Sequence, residues 1–306
     1  MDKKIAFLGT PNFAVPILKS IHQSNYKISC VFSQPPRKSN RGHKLNKSPI
    51  HLLSEELGIE IKTPENIEKE IDYIKSLNLD LAIVVAYGQI LSKDILSLSK
   101  NGFINIHASL LPNWRGAAPI QRSLINMDKI TGLSIMKINQ KLDEGPVCKK
   151  YPLDILENEN AKSLADRLSN LAAEKILTNI ENILQQKANF EEQDSSMATY
   201  AKKIQKIEGK INWNNGADEI LAKINGLYPQ PGAWFSFEND RHKILRATLS
   251  KTTMTPGQII DDELTISCGN KSIKVTEIQR EGKKPQKTRD FLLGSKLKKG
   301  IILKNE

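Results

Sequence analysis

The stretch Phe103-Ile-Asn105-Ile-His107-Ala-Ser109-Leu-Leu-Pro112-Asn-Trp-Arg115-Gly116-Ala-Ala-Pro119-Ile-Gln121 runs a short apolar segment straight into an amide and an imidazole two positions apart. Side chains alternate across a strand, so Asn105 and His107 project to one side and Ile106 to the other. An amide donor beside an imidazole can polarise a carbonyl and carry its oxyanion. Asp143, in Leu142-Asp-Glu-Gly145-Pro146, follows another apolar run at residues 133–138 and brings a carboxylate to the same kind of strand end. A carboxylate near an imidazole raises its pKa and fixes its orientation, and such a pair moves protons at neutral pH. The turn Gly9-Thr-Pro11 is a third piece expected at a strand end. No Ser or Cys stands in a nucleophile-elbow context, and neither HExxH nor a His/Cys cluster occurs, so covalent and metal-assisted chemistry are not indicated. The first turn lacks GxGxxG spacing, which argues against a dinucleotide. Each residue alone has a plainer reading. Asn105 and His107 can be satisfied polar groups at a strand end, Asp143 can be turn chemistry, and Trp114 can be core.

The elements that would position these groups alternate along the first half of the chain. Apolar or β-branched runs predict strands at residues 5–8, 28–32, 81–86, 103–106 and 133–138. Amphipathic segments predict helices at 12–23, 49–57, 67–77 and 117–126. This alternation implies a Rossmann-like, mostly parallel α/β sheet covered by helices on both faces, with ligands beyond the carboxyl ends of its strands. Leu164, Leu168, Leu171, Ile176, Ile180 and Ile183 recur at helical spacing and predict one long helix over 161–186, closing a catalytic domain of residues 1–187. A polar linker is expected at 188–207. Residues 208–306 then change texture, with short runs at 209–213, 233–237, 246–249, 258–261, 264–268 and 272–277 and one helix over 217–225. Many short strands at even spacing suggest a small β-barrel.

The 306 residues carry a net charge of +11. Residues 201–306 hold 20 Lys/Arg against 12 Asp/Glu, and no acidic residue occurs between Asp2 and Glu55. Clustered positive charge is the footprint of a polyanionic partner. No apolar run approaches the ~20 residues a membrane span needs. The N-terminus reads as a first strand rather than a secretory signal. Cys30, Cys148 and Cys268 are far apart and lack CxxC spacing, which indicates neither disulfides nor zinc and suits a reducing cytoplasm.

Beyond these derivations, Phe7-Leu-Gly9-Thr-Pro11-Asn-Phe13-Ala14, Val84-Val-Ala86-Tyr87-Gly88-Gln-Ile90-Leu91, the Asn105–Ile120 motif and Leu142-Asp143-Glu-Gly145 resemble the methionyl-tRNA formyltransferase family in order and spacing. The resemblance extends to Tyr228-Pro-Gln-Pro231-Gly232-Ala and so covers the whole chain. Asn-x-His with Ser-Leu-Leu-Pro marks the wider group of 10-formyltetrahydrofolate-using enzymes. Lys141 departs from the family, which usually has Gly before Leu-Asp, and this concerns a loop conformation rather than the chemistry. The resemblance implies a formyltransferase fold with an OB-like C-terminal barrel, 10-formyltetrahydrofolate as donor and methionyl-initiator tRNA as acceptor. It also implies oxyanion stabilisation by Asn105 and protonated His107, with proton management by Asp143. The pterin would dock against Tyr87, Gly88, Gln89, Ile90 and Leu91, and Ser109, Leu110, Leu111 and Pro112 would line the folate pocket. A cytoplasmic monomer is expected, releasing tetrahydrofolate.

The acid-free segment 33–48, with Arg37, Lys38, Arg41, Lys44 and Lys47 among Pro35, Pro36 and Gly42, reads as a long irregular loop. Without the resemblance it is a solvated charge run. With it, the segment inserts into the tRNA acceptor stem, Arg41 and Lys44 matching the family's Arg-Gly-x-Lys-Leu core. Lys202, Lys203, Lys206 and Lys210, with Lys283, Lys284, Lys287 and Arg289, are the expected phosphate contacts of the C-terminal part. Arg41→Ala is expected to weaken formylation of tRNA far more than folate binding. Equal effects in kinetic and folate-titration measurements would contradict the assignment. A formyltransferase acting on a small amine, either glycinamide ribonucleotide or an amino sugar nucleotide, would share the trio but has little use for the basic loop. A non-catalytic RNA-binding protein would not need the trio intact.

Overall fold

The computed structural model describes residues 3–39 and 44–305. Its first half runs β1 (Lys4–Gly9), α1 (Val15–His22), β2 (Lys27–Phe32), β3 (Arg37–Ser39), β4 (Lys44–Asn46), α2 (Pro49–Glu56), β5 (Ile61–Lys62) and α3 (Ile71–Leu77). It continues through β6 (Leu81–Val85), α4 (Lys93–Leu96), β7 (Phe103–His107), β8 (Arg115–Gly116), α5 (Pro119–Ile125), β9 (Ile130–Lys137), β10 (Val147–Asp154) and α6 (Ala161–Leu184). The second half comprises β11 (Tyr200–Ala201), α7 (Ala217–Gly226), β12 (Ala233–Phe237), β13 (Asp240–Ser250), β14 (Thr265–Ser267), β15 (Ser272–Arg280), β16 (Gln286–Lys287) and α8 (Thr288–Leu293). The chain forms two compact units. The first comprises Met1–Gly116, Thr131–Leu153 and Ala165–Tyr200, and the second Ala117–Ile130, Asp154–Leu164 and Ala201–Glu306. Among the described residues no helix is long and apolar enough to cross a membrane.

The first unit is built on a seven-stranded sheet in the order β10-β9-β7-β6-β1-β2-β5. β5, β2, β1, β6 and β7 are parallel neighbours, and β7 pairs antiparallel with β9. β1 and β6 are buried along almost their whole length, as strands covered on both faces must be. From β1 the chain moves outward through β2 and β5, then returns to lay β6 and β7 on the other side. The topological switch therefore falls between β1 and β6, where such sheets place ligands. The loops after these two strands are joined there, Thr10 Oγ1 donating to the Tyr87 carbonyl at 2.9 Å.

Segments 12–23 and 67–77, expected as single helices, each open with a 3-10 turn before α1 and α3. Within the 33–48 segment, expected as an irregular loop, the described residues form a strand pair. Arg37–Ser39 pairs antiparallel with Lys44–Asn46, and the hydroxyls of Ser33 and Ser48 meet at 2.6 Å to close its base. Ser48 also caps α2, accepting from the His51 N–H.

In the second unit β12-β13-β15-β14 form an antiparallel sheet, with β16 added to β15. Isolated bridges extend its edges, Ile259–Ile266 beyond β14 and Lys210–Trp234 beyond β12. The core centres on fully buried Trp213 and on Ile220 and Ile224 from α7. Residues 246–249 are only the end of β13, an eleven-residue strand joined to β12 by Glu238 and Asn239, both at positive φ. Two left-handed residues suit the right-handed twist of a two-residue hairpin, so the polar Asp-Arg-His-Lys start of β13 is held as strand by its turn and partner. Residues 209–213 and 258–261, expected as strands, contribute only bridges and a 3-10 turn.

His242 of β13 is 4 % exposed, stacked on Phe235 and edge-on to Phe237 and Phe291, and its Nδ1–H donates to the Asp240 carbonyl. Burial pushes its pKa below the ordinary histidine value; Asp240 opposes this shift and Arg280 adds to it. Its unfolded pKa is therefore the higher, so the unfolded state takes up the proton first. Stability is complete above the unfolded value and is lost as pH falls toward the folded one. The melting temperature of the second unit is expected to drop from pH 7 to pH 5 more steeply in the wild type than in His242→Phe. Parallel pH slopes in calorimetry would refute this.

Candidate active site

The first unit brings the three polar residues together at one strand end. β7 sits between β6 and β9, with Asn105 opposite Met136 and His107 opposite Ser134 in the antiparallel ladder. The Asn105 amide lies 3.5 Å from Asp143 Oδ1, and His107 Nδ1 lies 3.7 Å from Asp143 Oδ2. His107 is buried and Asn105 and Asp143 are half-buried, so the cluster is accessible but poorly hydrated. A carbonyl can only accept, so the 2.9 Å contact to the Trp114 oxygen assigns the Nε2 proton of His107. This leaves Nδ1 as the ring nitrogen facing Asp143.

Asp143 is itself oriented. Its Oδ2 accepts the Gly116 N–H at 2.8 Å, so residues 114 and 116 hold the imidazole and the carboxylate from one short segment. Asp143 has φ of +51°, which a non-glycine residue keeps only where its surroundings enforce it. Here the loop folds back on β9, the Lys137 N–H donating to the Pro146 carbonyl at 2.9 Å. Gly145 lies so close to Lys137 that an added Cβ would collide with the Lys137 carbonyl oxygen. The Lys141 side chain is solvent-exposed and faces Glu144 at 3.6 Å.

The Gly9-Thr-Pro11 turn engages the loop after β6, its Thr10 hydroxyl donating to the Tyr87 carbonyl. Within that loop the five expected folate residues diverge. Tyr87 is core, 2 % exposed and packed with Leu8, Phe32 and Phe103, and Leu91 is buried beside it. Gln89 ties the loop down, donating to the Pro64 carbonyl and accepting from the Ile67 N–H, both at 2.8 Å. Gly88 adopts φ of +87° against the Gln34 side chain. Ile90 is 91 % exposed, more than any other large apolar side chain among the described residues, and so offers a contact surface for a flat apolar ring. Ser109 and Leu111 are buried; Leu110 and Pro112 are half-buried. Ser134 fixes this turn, its hydroxyl donating to the Ser109 carbonyl and accepting from the Leu111 N–H.

Of the basic residues, Lys38 and Lys44 lie in the paired strands β3 and β4, and Arg41 lies outside the described residues. Arg37 and Lys47 are exposed, Arg37 bonding Gln34 and Lys47 paired with Glu55. Lys202, Lys203, Lys206, Lys283, Lys284, Lys287 and Arg289 are exposed, and Lys210 is half-buried. The sequence left a further basic feature unmarked. In the second unit Lys206, Trp234, Arg241, Lys243 and Arg280 line a concavity of about 340 Å³, with the Arg241 guanidinium 4.0 Å over the Trp234 ring. Burial, and next Arg241, pull the Lys243 ammonium below its usual pKa. The contacts of Gln193 with Arg115 and the Asp143 loop, and of the Trp114 carbonyl with His107, were likewise unmarked.

A mostly parallel α/β sheet with an Asn–His–Asp cluster beyond its strand ends, followed by an antiparallel C-terminal unit, defines a one-carbon transferase of the formyl-transferring class. Residues 3–180 match the Formyl transferase family, and residues 203–296 match Formyl transferase, C-terminal domain. The chain belongs to the methionyl-tRNA formyltransferase family. Its relative of that name in Pelagibacter ubique is 55 % identical over 100 % of both chains. The N-formyltransferase from Helicobacter canadensis, solved in complex with folinic acid and dTDP-3-aminofucose, shares the fold with a TM-score of 0.69 at 20 % identity, over 90 % of this chain and 99 % of that one. The methionyl-tRNA formyltransferase from Clostridium thermocellum does so with a TM-score of 0.59 at 18 % identity, over 80 % and 93 %.

Proposed function

We propose that the chain transfers the formyl group of 10-formyltetrahydrofolate to the α-amine of methionyl-initiator tRNA. The observation that carries this is the convergence of the Asn105 amide and His107 Nδ1 on the Asp143 carboxylate, at 3.5 and 3.7 Å, in a member of this family. The amine attacks the formyl carbon, and the carbonyl becomes an oxyanion facing Asn105 and His107, donors that strengthen as charge develops. Asp143 takes the amine proton, directly or through water, and fixes the ring that lies against it. The C–N10 bond then breaks, N10 regains a proton, and tetrahydrofolate leaves. Ile90 and the turn at Ser109, Leu110, Leu111 and Pro112 would hold the folate beside the switch point.

The acceptor reading rests on charge. Lys38 and Lys44 lie on the paired strands β3 and β4, between Arg37 and Lys47, and Ser33 and Ser48 close the base of the segment; with Arg41 of the same acid-free stretch these charges suit a nucleic-acid groove. Lys203 and Lys206, with the concavity around Trp234 and Arg241, would take phosphates and an exposed base. Work proceeds in the cytoplasm on a monomer. Affinity for tRNA is expected to fall steeply between about 50 and 200 mM salt while folate affinity hardly moves. Filter binding and folate titration measure the two arms, and equal slopes would contradict the reading. The deciding experiment supplies 10-formyltetrahydrofolate with initiator or elongator methionyl-tRNA, glycinamide ribonucleotide or an amino sugar nucleotide. Preferential formylation of a small amine would overturn the acceptor assignment.

A further inference from the structure

Arg115 is 1 % exposed, yet its charge serves no substrate group in the mechanism above. A guanidinium taken out of water is tolerated only when its hydrogen-bonding capacity and charge are compensated. Its Nε and Nη2 donate to Gln193 Oε1 at 3.1 and 3.0 Å, and Nη2 also reaches Ser195 Oγ at 3.4 Å. Nη1 stands 3.4 Å from Glu144 Oε1, an ion pair without hydrogen-bond alignment. Gln193 relays this hold to the catalytic loop. Its Nε2 donates to the carbonyls of Asp143 and Gly145, both at 2.8 Å. The amide's two protons thus go to two carbonyls flanking Glu144, and its oxygen goes to the guanidinium.

We propose that Arg115 and Gln193 are positioning residues for formyl transfer, setting the Asp143 carboxylate against His107. Each neighbour of Arg115 in the chain already holds one partner, Trp114 the imidazole and Gly116 the carboxylate. The Arg115 side chain adds the main chain of the Asp143 loop through Gln193. Backbone at φ of +51° needs such external restraint. The segment after α6 is on this account part of the catalytic apparatus. The inference rests on the catalytic reading of the trio.

Gln193→Glu separates positioning from support. It keeps the acceptor for Arg115 and adds a charge that pairs with it, but it replaces both donors with an oxygen facing two carbonyl oxygens. A saturating single-turnover rate at least ~10-fold below wild type is expected, since small misplacements of catalytic groups cost that much or more. KM for folate and tRNA should stay within about twofold, and the melting temperature should fall less than in Gln193→Ala, because the new ion pair with Arg115 offsets part of the two lost carbonyl bonds. Gln193→Ala should lose rate similarly and also lose stability, because Arg115 loses its acceptor. A Gln193→Glu rate within about twofold of wild type would overturn the inference, as would a raised KM or rate losses that follow the fall in melting temperature across Gln193→Glu and Gln193→Ala. Asp143→Asn runs alongside. If it retains wild-type rate, the trio reading itself fails; if it loses rate while Gln193→Glu does not, only the positioning role fails.

Discussion

His107→Ala, Asn105→Ala and Asp143→Ala are each expected to lower the turnover number by about two to three orders of magnitude, the typical effect of removing one oxyanion donor. The three losses should not add, because the groups act on one intermediate. Their structural costs differ, which lets catalysis be told from folding. Asn105 is half-buried with its amide only 3.5 Å from Asp143, so truncation leaves nothing buried without a partner. His107 is buried and its Nε2–H bonds the Trp114 carbonyl. Its loss should cost about 1–3 kcal/mol for the abandoned carbonyl. Steady-state kinetics with initiator methionyl-tRNA, paired with thermal melts, measures both. Near-wild-type turnover of Asp143→Ala would sink the role assigned to the carboxylate.

Gly145→Ala is expected to reduce turnover by about a hundredfold, although the substituted residue touches no substrate. The added methyl would occupy the position of the Lys137 carbonyl oxygen, and both collision partners are main chain. Lys137 cannot retreat freely, because its N–H is bonded to Pro146 and its strand is paired with β7 at Ile104. The strain is therefore relieved by moving the loop that carries Asp143, and a displacement near 1 Å is enough for such a loss. Overpacking of this kind costs ~1–3 kcal/mol of stability. Folate affinity should be little changed, since Ile90 and the Ser109 turn are untouched. Wild-type kinetics in Gly145→Ala would mean that the loop tolerates the shift and that Asp143 need not be held.

Much of this was legible in residue patterns. Runs 5–8, 28–32, 81–86 and 133–138 became β1, β2, β6 and β9, because strands covered on both faces are predominantly apolar. The long helix at 161–186 appeared as α6, Ala161–Leu184, because its leucines and isoleucines trace one buried face. Elements held by partners rather than composition were illegible. β10 carries Lys149 and Lys150 and alternates weakly, being the edge of its sheet. The β3–β4 pairing is marked by lysines and an arginine, not by apolar residues. Tyr87, expected on a ligand surface, is core, while Ile90 three residues on is exposed, the chain turning through Ala86 and Gly88 at positive φ.

At the strand end beyond β7, the residue types determined the chemistry: an amide, an imidazole and a carboxylate can stabilise an oxyanion and move a proton whatever holds them. Tertiary structure alone decided their arrangement. Asp143 meets Asn105 across 38 positions, and Gln193 holds the Asp143 carbonyl across 50. Periodicity reports which face of an element is buried, whereas a hydrogen bond between distant segments depends on where the whole chain has been carried.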